Sequence, residues 1–176
     1  MNLAHSQITG LMLGLVEEVD DPLGQGRVRV RFPALGSDAL SNWAPIASAM
    51  AGNDRGVWFV PERGDEAVVA FDRGDPSWPI VLGFLWNGAD AAPSTSVRER
   101  MIRSVNGHTI RLLDSTPTAG GNAGGIAIED ATGNSIVLAN GKVTIHSVGV
   151  LELDAATIVL SSSGVRRIVT PNANPI

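Results

Sequence analysis

The chain has 176 residues, with 13 Lys+Arg against 18 Asp+Glu for a formal charge of -5, and Lys142 is its one lysine. An acidic, lysine-poor surface argues against broad binding to nucleic acid or to anionic membranes. The absence of cysteine excludes disulfides and thiolate metal sites and leaves the redox compartment unread.

In chain order, "MNLAHSQITG" has no basic stretch and no small-residue cleavage site, so no signal peptide is expected. No run of eighteen apolar residues follows, so no membrane-spanning helix is expected. Short strands are expected at "ITGLMLGLVEEV" (Ile8 to Val19), "GRVRVRF" (Gly26 to Phe32), "GVWFVPE" (Gly56 to Glu62), "DEAVVAFD" (Asp65 to Asp72) and "PIVLGFLW" (Pro79 to Trp86). Gly/Pro/Asp turns such as "DDPLGQG" and "DRGDPSWP" separate them. A short helix is compatible with Ser37 to Leu40 or Ala47 to Ala51. Five short strands before residue 90 fit a small closed barrel of the OB type. All eight aromatic residues lie in this half, and they are expected to fill its core and back.

Residues 89–110 are small and polar at their start and read as a neck, between an N-terminal domain at 1–88 and a distal domain at 111–176. The distal domain repeats. Gly125, Gly133, Gly141 and Gly149 are spaced by eight residues, and each octad holds an alternating aliphatic pair. The pairs are Ile126/Ile128, Ile136/Leu138, Val143/Ile145, Leu151/Leu153 and Ile158/Leu160. Alternation with period two means a strand with one buried face. Glycine at fixed intervals reads as the corner of a β-helix, where positive φ or close backbone approach is required. One chain of such octads cannot close a core, and its edges stay unpaired. The expected architecture is therefore all-β: an OB-fold barrel followed by an intertwined homotrimeric β-helix whose axial core is those ten aliphatic residues.

Several candidate sites have competing readings. Arg27, Arg29 and Arg31 form a basic stripe that meets carboxylates of a neighbouring protomer or hub, or faces solvent; nucleic-acid binding would need stacking aromatics among them, and the interleaved residues are Val28 and Val30. Glu62, Asp65, Glu66, Asp72 and Asp75 lie in or beside turn sequences and are expected to cap backbone there rather than do acid–base chemistry. His146 is expected to be exposed, and His108 to bond a neighbouring chain. No catalytic triad, metal site or cofactor site is expected. The tail, Thr170, Pro171, Asn172, Asn174, Pro175 and Ile176, is either frayed or a platform for a tip protein.

The ordered set "GLVEEVDDPLGQGRVRVRFPAL", "NWAPIAS" and "GVWFVPERGDEAVVAFDRGDPSWPIVLGFLWNG" resembles the OB-fold of phage baseplate assembly protein V, the domain also found in valine-glycine repeat spike proteins of type VI secretion. "NGHTIRLLDST" with "GGIAIEDATGNSIVLANG" is similar to the neck and first β-helix turns of such spikes. The resemblance implies a non-enzymatic homotrimeric spike, made in the cytoplasm and built into a contractile tail or injection particle. Its barrels would dock on a tail hub. Its needle would pierce the target membrane mechanically, capped by a PAAR-type tip protein. The chain lacks the His-x-His pattern of iron-tipped spikes. A nucleic-acid-binding OB protein and a trimeric receptor-binding fibre are the rival expectations.

Overall fold

The computed structural model describes residues 7–36, 40–116, 124–162 and, as backbone, 165–169. Thr170 to Ile176 lie outside the described residues, as does all but Leu40 of the helix candidate Ser37 to Leu40, and Leu40 bridges to Arg31. Thirteen strands and two 3-10 turns, Pro33–Leu35 and Asp72–Gly74, make up the described secondary structure, and no α-helix occurs among the described residues. The second helix candidate, Ala47 to Ala51, instead leads into the hairpin of β3 (Ala51–Gly52) and β4 (Arg55–Gly56). The chain divides into two compact units, Met1–Ala92 and Pro93–Ile176.

In the first unit β1 (Met12–Glu18), β2 (Arg29–Arg31), β5 (Glu66–Phe71) and β6 (Pro79–Leu85) form an antiparallel sheet of order β2-β1-β5-β6. The segment from Leu40 to Ala47 closes it into a barrel. Val28 and Ala44 exchange both backbone hydrogen bonds, the Ser41 N–H donates to Val30 O, and Val81 bonds both Pro45 and Ala47. This segment, not "GVWFVPE", supplies the fifth wall. Residues 57–62 form no strand, and Trp58 and Phe59 are exposed. Pro61 there has no N–H to give to a ladder.

The core is built from valine rather than aromatics: Val16, Val28, Val30, Val69 and Val81 are fully buried with Ala44 and Ala67. Phe32 and Phe71 join them, their rings 5.8 Å apart and tilted by 52°. The expectation that all eight aromatics fill core and back fails for Trp58, Phe59, Trp78 and Trp86, each more than 60% exposed. A barrel of so few short strands has room between its walls for branched aliphatics and two rings; the tryptophans sit on its connections or just past β6.

In the second unit β7 (Glu99–Arg103), β8 (Thr109–Asp114), β9 (Gly124–Glu129), β10 (Ser135–Ala139) and β11 (Lys142–His146) form one antiparallel meander of order β11-β10-β9-β8-β7. β12 (Ile158–Ser162) pairs with β13 (Val165–Val169) separately. Within the single chain the octads thus fold back on one another instead of winding round an axis. Part of the expected neck is β7 and the start of β8.

The glycines divide accordingly. Gly141 completes the two-residue Asn140–Gly141 hairpin loop, with φ of 53° and 71°, the type I′ pair that matches strand twist. Gly133 lies in the β9–β10 connection and Gly149 in a bend after β11. Gly125, expected at a corner, lies inside β9. A Cβ there would press on Leu138 O and Ala139, so its role is close approach of neighbouring strands.

Candidate assembly interface

The meander's register sorts its side chains into two faces. One row across all five strands reads Ile102, Ile110, Ile128, Ile136, Ile145, and the next reads Arg100, Leu112, Ile126, Leu138, Val143. The nine aliphatic side chains of these rows are 40% to 64% exposed. The opposite face holds Met101, Arg111, Ala127, Val137 and Thr144, all half-buried or buried, with Ala127 only 3% exposed. The usual partition is therefore inverted: the apolar face is the open one.

An ionic cluster covers the other face. Arg111 on β8 donates to Glu129 on β9 at 2.5 Å and to Glu99 on β7 at 3.4 Å. Hydrogen bonding to Glu129, then to Glu99, raises the Arg111 pKa. Ser94 Oγ donates to Glu99 at 2.7 Å and Thr109 Oγ1 to Glu129 at 3.4 Å. The Arg111 Nε is buried and has no protein partner among the described residues. Arg111 thus ties the first three strands together without any contribution from the aliphatic face.

Six expected core residues, Ile126, Ile128, Ile136, Leu138, Val143 and Ile145, lie together on the open face. Leu151 and Leu153 are exposed on an irregular segment, and Ile158 and Leu160 lie on β12. Sequence reasoning missed Ile102, Ile110 and Leu112, which extend the same rows. Their signal was present: Asn106–Gly107 flanked by alternating residues is a hairpin sign, and Gly107 has φ of 92°.

One polar edge of this face is fixed by turns. The Asp130 carboxylate accepts from the backbone and side chains of Thr132 and Asn134, bonds that hold it well below the usual carboxylate range, Asn134 contributing most. His108 Nδ1 accepts the Ala131 N–H at 3.2 Å, which ties it to the β9–β10 connection of its own chain. His146 is exposed.

On the barrel, the arginine stripe finds its carboxylates in the same chain. A bulge between Val16 and Glu18 lets consecutive acids on β1 both reach toward β2. Glu18 pairs with Arg29 at 3.2 Å and Glu17 with Arg31 at 3.3 Å, while Arg63 also bonds Glu17. Arg63 first, then Arg31, lowers the Glu17 pKa. Asp21 takes Arg27 in a two-point pair at 2.6 and 3.0 Å and accepts the N–H groups of Leu23, Gln25 and Arg27. These bonds, Arg27 foremost, hold the Asp21 carboxyl well below its ordinary value. Arg27 also stands 6.0 Å over the Trp43 ring. An open groove of about 810 Å³ runs past Trp43, Pro45, Trp78, Pro79 and Ile80, and the two cations in its lining, Arg27 and Arg29, are both paired.

Two of the five turn acids cap backbone, while Glu66 lies in β5 and accepts the Asn87 side-chain amide at 3.0 Å. Asp65 accepts the Glu62 N–H and Asp75 the Ser77 N–H. Among the described residues no three His, Cys, Asp or Glu side chains gather to hold a metal, and no helix is long and apolar enough to cross a membrane.

Residues 12–86 match the family model described as the type VI secretion system/phage-baseplate injector OB domain. Over 72 residues the chain is 40% identical to the type VI secretion system spike protein VgrG4b of Pseudomonas aeruginosa, covering 39% of this chain and 9% of that protein. It is 32% identical over 101 residues to the type VI secretion system spike protein VgrG3 of Vibrio cholerae, covering 51% of this chain and 10% of the relative. It is also 32% identical over 74 residues to a Vibrio cholerae protein named actin cross-linking toxin VgrG1, covering 40% of this chain and 7% of that one. The chain spans about a tenth of the length of the first two relatives. These matches support the resemblance to baseplate and spike proteins drawn from the sequence.

Proposed function

We propose that three copies of this chain assemble into the central spike of a contractile tail or injection machine. The observation that supports this best is the inverted meander: nine aliphatic side chains in two continuous rows stand open in one chain. Each leaves roughly half of its 1.5–3 kcal/mol of burial unrealised. Three such faces turned toward a shared axis would bury one another and enclose a narrow aliphatic core. In that assembled form the distal strands wind as an intertwined β-helix.

The role is mechanical. Paired edges and a shared core make local yielding cooperative, so force delivered along the axis reaches a small area of the target envelope. The OB barrels dock on a hub at the end of the tube, and the C-terminal end, Thr170 to Ile176, receives a small tip protein. The spike is built in the cytoplasm into a tail or extracellular particle, touches membrane only mechanically and catalyses nothing.

Of the rivals, nucleic-acid binding is disfavoured because Arg27, Arg29 and Arg31 are each matched by a carboxylate of the same chain. A receptor-binding fibre is disfavoured because every aromatic residue precedes the meander. Native mass measurement on the full chain tests the reading. A mass of three chains is expected; a well-folded single chain at micromolar concentration overturns it.

A further inference from the structure

The connection from β5 to β6 holds a tryptophan in the open. Trp78 is 66% exposed, yet the backbone around it is committed. The Asp72 N–H donates to Trp78 O at 2.9 Å, the Trp78 N–H donates to Asp75 O at 3.0 Å, and the Asp75 carboxylate takes the Ser77 N–H at 2.8 Å. Arg73 enters the loop with φ of 52°, in the left-handed region that residues other than glycine seldom occupy. An indole held this firmly loses little freedom when a ligand covers it.

Trp43 lines the same groove. The Arg27 guanidinium stands 6.0 Å over its ring, and Asp21 grips that arginine at two points. Asn42 Nδ2 donates to Ser77 O at 2.9 Å, which ties the segment carrying Trp43 to the loop carrying Trp78. Both indoles are therefore presented to one space of about 810 Å³ by parts of the barrel already bonded to each other.

The polar groups of the groove select the ligand. Its two cations are taken, Arg27 by Asp21 and Arg29 by Glu18. Of its charged lining side chains, Asp72 is the one without an ion partner among the described residues. A nucleic-acid strand would meet an unmatched carboxylate there and no unmatched cation. Asn42 spends an amide N–H on Ser77, while its carbonyl oxygen and the Asp72 carboxylate remain as acceptors. Acceptors call for a ligand that brings donors. A wholly apolar ligand would leave them covered and unpaired, and a proline-rich segment brings carbonyls with few N–H groups. A sugar ring brings a rim of hydroxyl donors and a C–H face that lies flat on an indole.

We infer that the groove between the β1–β2 and β5–β6 connections binds an uncharged oligosaccharide, its rings against Trp78 and Trp43 and its hydroxyls donating to Asp72 and Asn42. OB barrels take oligonucleotides or oligosaccharides on this face, and the paired arginines separate the two here. The site lies within the barrel, so it does not depend on three chains assembling.

The full chain is titrated by calorimetry with the hexamer of N-acetylglucosamine and with cellohexaose, and with a thymidine decamer and decaproline as the competing classes. Saturable binding of at least one hexasaccharide is expected, with Kd at or below about 1 mM. It should change little between about 50 and about 200 mM salt. Trp78→Ala removes an exposed side chain and keeps the backbone bonds of the loop, and it should weaken binding at least about fivefold. Asp72→Asn should weaken it by a smaller factor, and Trp86→Ala, exposed but outside the groove, should leave it unchanged. No heat with either sugar, equal binding by Trp78→Ala, or tighter binding of the decamer or of decaproline overturns the inference. Native mass is measured on the same sample. A trimer that ignores both sugars overturns the glycan site alone, and a single chain that binds them overturns only the trimeric spike.

Discussion

Ile110 on β8 stands directly opposite Ile128 on β9, and each leaves 44% of its surface open. A cross-strand isoleucine pair is a stabilising unit of a sheet, but here it covers itself only sideways. Everything proposed for the distal unit follows from the need to cover the open side.

Replacing Ile128 by Asp should abolish assembly while leaving the chain folded, because the side chain is covered only sideways within its own unit and has an open side where a carboxylate can meet water. Three buried carboxylates round an axis would cost several kcal/mol each. Analytical ultracentrifugation should show the mass fall from three chains to one, with the far-ultraviolet spectrum of the barrel retained. A variant that stays trimeric would place Ile128 outside the shared core.

Gly14 on β1 is buried, and a Cβ there would run into the side chains of Val30 and Phe32 and the carbonyl of Arg31. Gly14→Val should overpack the barrel and cost about 1–3 kcal/mol. Thermal unfolding followed at the tryptophans should shift down by several degrees, while oligomeric mass stays as in the parent.

Asp21 links Arg27 to three backbone N–H groups, so its folded pKa lies below the ordinary carboxyl value of about 3.9. The linked stability is therefore present above about pH 4 and disappears as pH falls toward the folded value. Asp21→Asn should lower the urea midpoint at about pH 7, and the gap to the parent should narrow at about pH 2. An equal gap at both pH values would assign the loss to shape rather than charge.

Gly141 has φ of 71° in a two-residue loop. Valine there should cost roughly 1–2 kcal/mol per chain, since a β-branched residue resists the left-handed region. In the proposed trimer the cost recurs in every copy, so the loss of heat resistance in gel electrophoresis should exceed that expected of a single-chain hairpin. Gly149→Ala, in open space with no positive φ, is the matched control and should change little.

Alternation made most of this legible. Arg27 to Phe32 announces a half-buried strand, and the octad pairs announce the aliphatic face. The barrel's fifth wall did not announce itself, because its buried residues, Ser41 and Ala44, are small, and Ile46 alone adds a bulky inward side chain. "GVWFVPE" drew the assignment instead through its bulky residues, although Trp58 and Phe59 are exposed and Val60 alone packs against the core. Asp21 and Glu17 were invisible as arginine partners for another reason. A bulge and a turn bring them into reach, and neither leaves a periodic trace in sequence. The rows at Ile102, Ile110 and Leu112 were hidden by composition: polar residues around them suggested a neck, while the Asn106–Gly107 turn between them argued for a hairpin.

Every strand of the meander pairs with its immediate neighbour in the chain. Such local contacts form in microseconds, far sooner than three separate molecules find each other. The greasy surface is therefore finished before anything arrives to cover it. During that interval the same rows proposed to join sister chains would adhere to any other unfinished chain. Yield in the cell should then depend on how quickly siblings emerge side by side from one messenger, and slow or dilute synthesis should send the product into aggregates even when the sequence is unaltered.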